Sequence, residues 1–185
     1  MLITHEREKL LNVIIYFAEN TAHCGKTKLF KLLYLLDFEH FKLTGRSVTG
    51  LEYYAWKLGP VPAALDDELE QPGEDLAQAI ELEPERVIDS SRLTIKAKHV
   101  FDPAHFSKRE LKLLESLAAA YRQQYAQEMV EITHAENGAW ERVYANGKGF
   151  NKPIPYELAV SGEDSALILS MAKEYAAMRN QYING

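Results

Sequence analysis

Residues 26–45, KTKLFKLLYLLDFEHFKLTG, carry the densest apolar periodicity in the chain. Leu29, Leu32, Leu33 and Leu36 recur at i, i+3, i+4 and i+7, and Phe30, Tyr34 and Phe38 form a second stripe at intervals of four. Two stripes on one helix leave little of its circumference for water, so the segment reads as a helix surrounded by neighbours. Gly45 is expected to end it, because glycine accepts the left-handed backbone that closes a helix. A buried central helix implies a mainly α fold (α+β) packed around it, with strands confined to what lies further along the chain.

Upstream, Thr4 is expected to cap a helix over about residues 5–19, with Leu10, Leu11, Ile14, Ile15 and Ala18 as its apolar stripe. NTAHCGKT then reads as a turn. Downstream, LEYYAW (51–56) has the ring content of a short strand, and Gly59 and Pro60 are expected to end it. Alternation places Tyr54 and Trp56 against the central helix and leaves Tyr53 facing outward. Pro62 suits the first turn of a helix through AALDDEL, and QPGED precedes a further helical piece at 74–80. RVIDSSRLTIKAK fits two short strands around Ser90 and Ser91, expected to pair with LEYYAW in one small antiparallel sheet. Ser107 and Glu110 form a capping box that opens a helix running to about Tyr125. Two short helices broken at Asn137–Gly138, an irregular connector, and a C-terminal helix over about 163–182 complete the chain. Acidic residues are expected in that last helix's first turn.

With 185 residues and 46% apolar content, the chain is expected to form a single domain spanning 1–185. No run of about 18 apolar residues appears, and the N-terminus lacks the apolar core of a secretion signal, so a cytoplasmic protein is the expectation. Cys24 is the only cysteine, which excludes an intrachain disulfide and a cysteine-rich zinc site. The net charge of −6 conceals an asymmetry. Residues 61–90 hold ten carboxylates and one cation, Arg86, whereas residues 91–125 hold seven Lys and Arg against three carboxylates. Either the two regions neutralise each other within the fold, or the first presents a negative surface to a basic partner. An acidic chain argues against general nucleic-acid binding, which relies on cations at phosphate.

Catalytic patterns are sparse. The six histidines include no H-E-x-x-H pair, and no phosphate-cradling glycine loop or nucleophile elbow occurs. His23 adjoins Cys24, but sequence neighbours point apart, so a structural cysteine is the plainer reading. His134 with nearby acids is the one arrangement that a small hydrolase would use. No catalytic residue, metal or cofactor is assigned.

The run KLFKLLYLLDFEHFKLTGRSVTGLEYYAWKLGPVPAALDDEL (28–69) resembles the signature of the Panacea antitoxin-like domain family, which includes SocA-like and phage-associated GepA-like proteins. The matching positions are Lys31, Leu32, Leu33, Tyr34, Thr44, Gly45, Arg46, Ala55, Trp56, Gly59, Pro60 and Val61. ITHAENGAWERVY and KPIPYEL resemble its second block, so the likeness spans about 5–160. Leu58 departs from the pattern where the family often carries an aromatic residue, and 81–106 match no part of it. The resemblance implies a non-catalytic antitoxin that neutralises a toxin by direct binding. A proteolytic adaptor, delivering its toxin to an ATP-dependent protease, is the alternative. The expected docking face is Tyr53, the loop Gly59, Pro60, Val61 and Pro62, and the acids Asp66, Asp67 and Glu70, set against a basic toxin surface. Lys31, Leu33, Tyr34, Gly45 and Trp56 are expected to support it structurally.

Overall fold

The computed structural model describes residues 4–87, 90–134 and 138–183. The central helix, α2 (Lys26–Thr44), buries twelve of its nineteen residues. Gly45 closes it at φ 69°, and a Cβ there would lie 2.8 Å from the Ile168 carbonyl oxygen and 2.9 Å from the Ala172 nitrogen. Glycine is therefore required twice, for the left-handed turn and for the close approach of the C-terminal helix. Around α2 pack α1 (Glu6–Asn20), α5 (Lys108–Ala120) and α6 (Ala126–His134), with α8 (Ser165–Ile183) lying across its C-terminal end. Short helices α3 (Ala63–Glu70), α4 (Glu74–Ala79) and α7 (Ala139–Tyr144) fill the remaining connections.

The periodicity reading gives the helices to within a few residues. His5, in a left-handed conformation at φ 52°, occupies the N-cap of α1 in place of Thr4. The Ser107–Glu110 capping box makes both of its reciprocal hydrogen bonds. α5 ends at Ala120, five residues before the expected stop, and Ser165 opens α8 after Glu163 and Asp164, which precede its first turn.

The sheet departs from expectation. Two separate antiparallel hairpins form, β1 (Tyr54–Trp56) with β2 (Gly59–Val61), and β3 (Ile80–Val87) with β4 (Ser90–Ala97). Gly59 and Pro60 do not terminate strand structure. A two-residue turn at Lys57–Leu58 returns the chain on itself, with Gly59 at φ 102°. Because β2 occupies one edge of β1 and the connector near Pro153 bridges to Tyr54, no edge remains for the second hairpin. That hairpin docks instead beside the start of α2, where Ile95 N–H donates to the Cys24 carbonyl at 2.8 Å.

Part of the acidic stretch finds partners inside the fold. Glu81 stands opposite Lys96 in the β3–β4 register. Arg7 of α1 pairs with Glu68 and Asp75, and Lys26 pairs with Asp66. Among the described residues no helix is long and apolar enough to cross a membrane.

Candidate functional site

Hairpin β1–β2 is held from both sides. The connector that follows α7 lies along β1, with Ala55 N–H donating to Lys152 O, Asn151 N–H to Ala55 O and Ile154 N–H to Tyr53 O at 2.8–2.9 Å. Trp140 on α7 donates its indole N–H to the Trp56 carbonyl at 3.0 Å. Beneath the hairpin lies Lys31, 1% exposed, whose Nζ donates to the Pro60 carbonyl at 2.9 Å. Burial pulls the Lys31 amine down to about 7. A Cβ at Gly59 would sit 2.9 Å from both Cε and Nζ of Lys31, so glycine makes room for the lysine tip as well as supplying the positive φ.

Asp37 anchors the chain entering β1. Its fully buried carboxylate accepts hydrogen bonds from Val48 N–H and Thr49 N–H at 2.8 Å, from the Thr49 hydroxyl, and from the Tyr53 hydroxyl at 2.7 Å. Burial raises its pKa even against these donors. Tyr53 packs edge-on against Tyr34, Phe38 and Tyr156.

Tyr53 is thus 1% exposed and does not face outward, correcting the expected side of the strand. The alternation holds, but its sides are reversed: small Ala55 shares the buried face with Tyr53, whose hydroxyl finds Asp37, while Tyr54 and Trp56 take the half-exposed face. Gly59, Pro60, Val61 and Pro62 are buried too, so they mount the hairpin rather than contact solvent. Asp66 is engaged by Lys26, whereas Asp67 and Glu70 remain exposed. Leu33 and Tyr34 lie in the core.

The exposed apolar groups of this region are ones the sequence reading did not single out as surface. Leu58, at the tip of the turn, is 61% exposed, and Phe150, in the connector, is 59% exposed. With Phe30, Val61 and Trp56 they line a cleft of about 260 Å³, edged by Lys26, Lys57 and Asp66. An apolar residue at the second position of a two-residue turn, and a lone phenylalanine within GKGFNK, were the available signals.

Among the described residues, catalytic groups do not assemble at this site. Among the described residues no group of three His, Cys, Asp or Glu side chains converges to hold a metal ion. His134 stacks on Trp140 with ring centroids 3.9 Å apart, and its Nε2 has no hydrogen-bond partner among the described residues. Burial lowers its pKa, aided by the nearby Lys31 charge. Glu136 and Asn137, which the hydrolase reading and the helix break involve, lie outside the described residues. Cys24 is buried and its thiol is pushed up to about 11, away from the thiolate that a nucleophile requires.

The structure is therefore a mainly helical chain wrapped around one buried helix, with two small hairpins, one of which carries an exposed apolar tip. The family model described as antitoxin SocA-like, Panacea domain, matches residues 29–141, and the chain belongs to that family. The match takes in α2, both hairpins and the helices through the start of α7, including the stretch 81–106 that fitted no part of the resemblance read from sequence. No curated protein and no solved structure matches the chain. Membership supports an antitoxin-type role with a protein partner, and points away from catalysis.

Proposed function

We propose that this protein neutralises a cognate toxin by direct, stoichiometric binding, and that the docking face is the β1–β2 tip with the cleft beside it. The observation that carries the reading is the exposure of Leu58 and Phe150 on a backbone clamped by β2, the connector and Trp140. Apolar side chains left in water on a rigid mount lose little entropy when a partner covers them, which favours affinity. Leu58, Trp56 and Phe150 would fill the centre of the contact, while Asp67 and Glu70 at the exposed side of α3 would steer a basic toxin surface toward it. Tyr53 and the Gly59–Pro62 loop act behind that face, by fixing its shape.

The test is co-expression with the product of a neighbouring reading frame that is toxic alone, followed by affinity measurement on the purified pair. Leu58→Asp with Phe150→Asp should weaken binding by at least about 30-fold, the scale of a central anchor worth about 2 kcal/mol, and abolish growth rescue. Asp67→Lys with Glu70→Lys should chiefly slow association and flatten its salt dependence. Unchanged affinity and rescue in the apolar double variant would place the docking face elsewhere. Rescue that vanishes only when a cellular protease is deleted would replace occlusion by the adaptor mechanism.

A further inference from the structure

A second cavity, of about 700 Å³, opens between the start of α1, the chain that leaves α2, the first turn of α5 and α8. In a chain of net charge −6 its lining is cationic. Lys108 and Arg109 are the first two residues of α5, at the positive end of the helix dipole, where cations are disfavoured. Neither has a carboxylate partner among the described residues. Arg46 lays its guanidinium over the Tyr175 ring at 4.3 Å, which occupies one face and leaves the donor edges open.

The two carboxylates in the lining are already committed. Glu6 pairs with Arg179 at 2.7 Å, and Glu110 pairs with Lys9 at 2.7 Å while its other oxygen accepts from the Ser107 backbone N–H. Positive charge is therefore left over. His40 lines the same cavity. Its side chain is 6% exposed and its Nδ1 donates to the Arg46 carbonyl at 2.7 Å, which leaves Nε2 without a hydrogen-bond partner among the described residues. Nε2 keeps access to solvent, so a ligand seated in the cavity can reach it.

We propose that this cavity binds a small molecule carrying two or more phosphoryl groups, with Arg46, Lys108 and Arg109 on the phosphate oxygens and His40 Nε2 donating to them once protonated. Several converging cations over-neutralise a single carboxylate but match a diphosphate, whose oxygens accept from two arginine forks at once. Residues that break a local rule, such as cations opening a helix, are where a binding site is expected. Proton uptake follows from the surroundings of His40. Burial holds the imidazole below its usual pKa against the hydrogen bond to the Arg46 carbonyl and the charge of Glu110, which raise it, while Lys9 of α1 and Arg109 of α5 lower it further. Glu6, Arg46 and His105 also line the cavity. A dianion seated there adds negative charge beside the ring and draws a proton onto Nε2.

Titration calorimetry of the purified full chain at pH 7 tests this, using pyrophosphate, orthophosphate, citrate and a single-stranded RNA 12-mer in two buffers of different ionisation enthalpy. Pyrophosphate is expected to bind at least about tenfold more tightly than orthophosphate or citrate, with proton uptake that His40→Gln removes. Arg46→Gln, Lys108→Gln and Arg109→Gln together, all at exposed side chains, should weaken it by about 100-fold without lowering stability. No pyrophosphate binding at millimolar concentration, or citrate binding equally well, overturns the phosphoryl assignment. RNA binding without pyrophosphate binding also overturns it. Wild-type proton uptake in a folded His40→Gln variant removes His40 from the site. If that variant does not fold, the triple variant alone decides: unchanged affinity refutes the site.

Discussion

Replacing Lys31 by Met isolates the cost of burying an amine under the hairpin. The Lys31 amine titrates at about 7 in the fold against 10.5 in an ordinary setting, and burial is the cause. Between those limits the unfolded chain binds a proton that the folded chain does not, so stability rises with pH, by about 1.4 kcal/mol per pH unit. Across the whole window the change sums to about 5 kcal/mol, an upper bound because the site relaxes on charging. Methionine carries no charge but forfeits the hydrogen bond to the Pro60 carbonyl, a loss of about 1 to 2 kcal/mol that does not vary with pH. The variant should therefore be the more stable protein near pH 7, by up to about 3 kcal/mol, and the less stable one near pH 10. Urea denaturation of both proteins at pH 7, 8, 9 and 10 reads the difference, in which groups common to the two chains cancel. A stability difference that stays flat across the series, or that moves in the variant's favour as pH rises, refutes the reasoning.

Three further outcomes follow from the same region. Asp37→Ala leaves two buried N–H groups and two hydroxyls without their acceptor and should cost about 3 to 5 kcal/mol in chemical denaturation; a loss under about 1 kcal/mol would show that water replaces the carboxylate. Gly59→Ala combines the strain of φ 102° with a Cβ against the Lys31 tip, and should lower stability by about 1 to 3 kcal/mol, much of it relieved when combined with Lys31→Ala. Cys24, buried with its thiol pushed up to about 11, should react with a thiol reagent at pH 8 only at the rate of unfolding, so reaction kinetics that ignore added urea would contradict its burial.

The helices were legible because their signals are local. Leucines at i, i+3, i+4 and i+7 require only that one face be buried, and Gly45 and the Ser107–Glu110 pair mark ends by chemistry contained within a few residues. The sheet was misread because pairing is decided by competition for edges. Two candidate strands resembled partners until Lys57–Leu58 and the Pro153 connector claimed both edges of β1. The inward turn of Tyr53 depended on Asp37, sixteen residues earlier, which alternation alone cannot register. For the same reason the polar core of α2, with Lys28, Lys31, Asp37 and His40 all buried, was invisible in a pattern that counts apolar residues. Each of these side chains meets a carbonyl, a backbone N–H or a hydroxyl from outside α2.

The pairing of the acidic helix changes what electrostatics can contribute to binding. Asp66, Glu68 and Asp75 are held by Lys26 and Arg7, so the negative charge that a sequence count assigns to α3 and α4 is reduced at close range. Exposed ion pairs stabilise little, but they do remove the field that would otherwise act on a partner. Affinity at the proposed face would then come mainly from area removed from water, where exposed Leu58 and Phe150 and half-exposed Trp56 surround one cleft. On the proposed face Asp67, and Glu70 at 3.9 Å from Lys26 Nζ, would influence encounter more than residence. The buried lysine, the glycine above it and the aspartate under the preceding loop keep that tip in one shape, so if the tip is the docking face proposed above, their substitution should weaken binding in step with the loss of hairpin order although all three are buried.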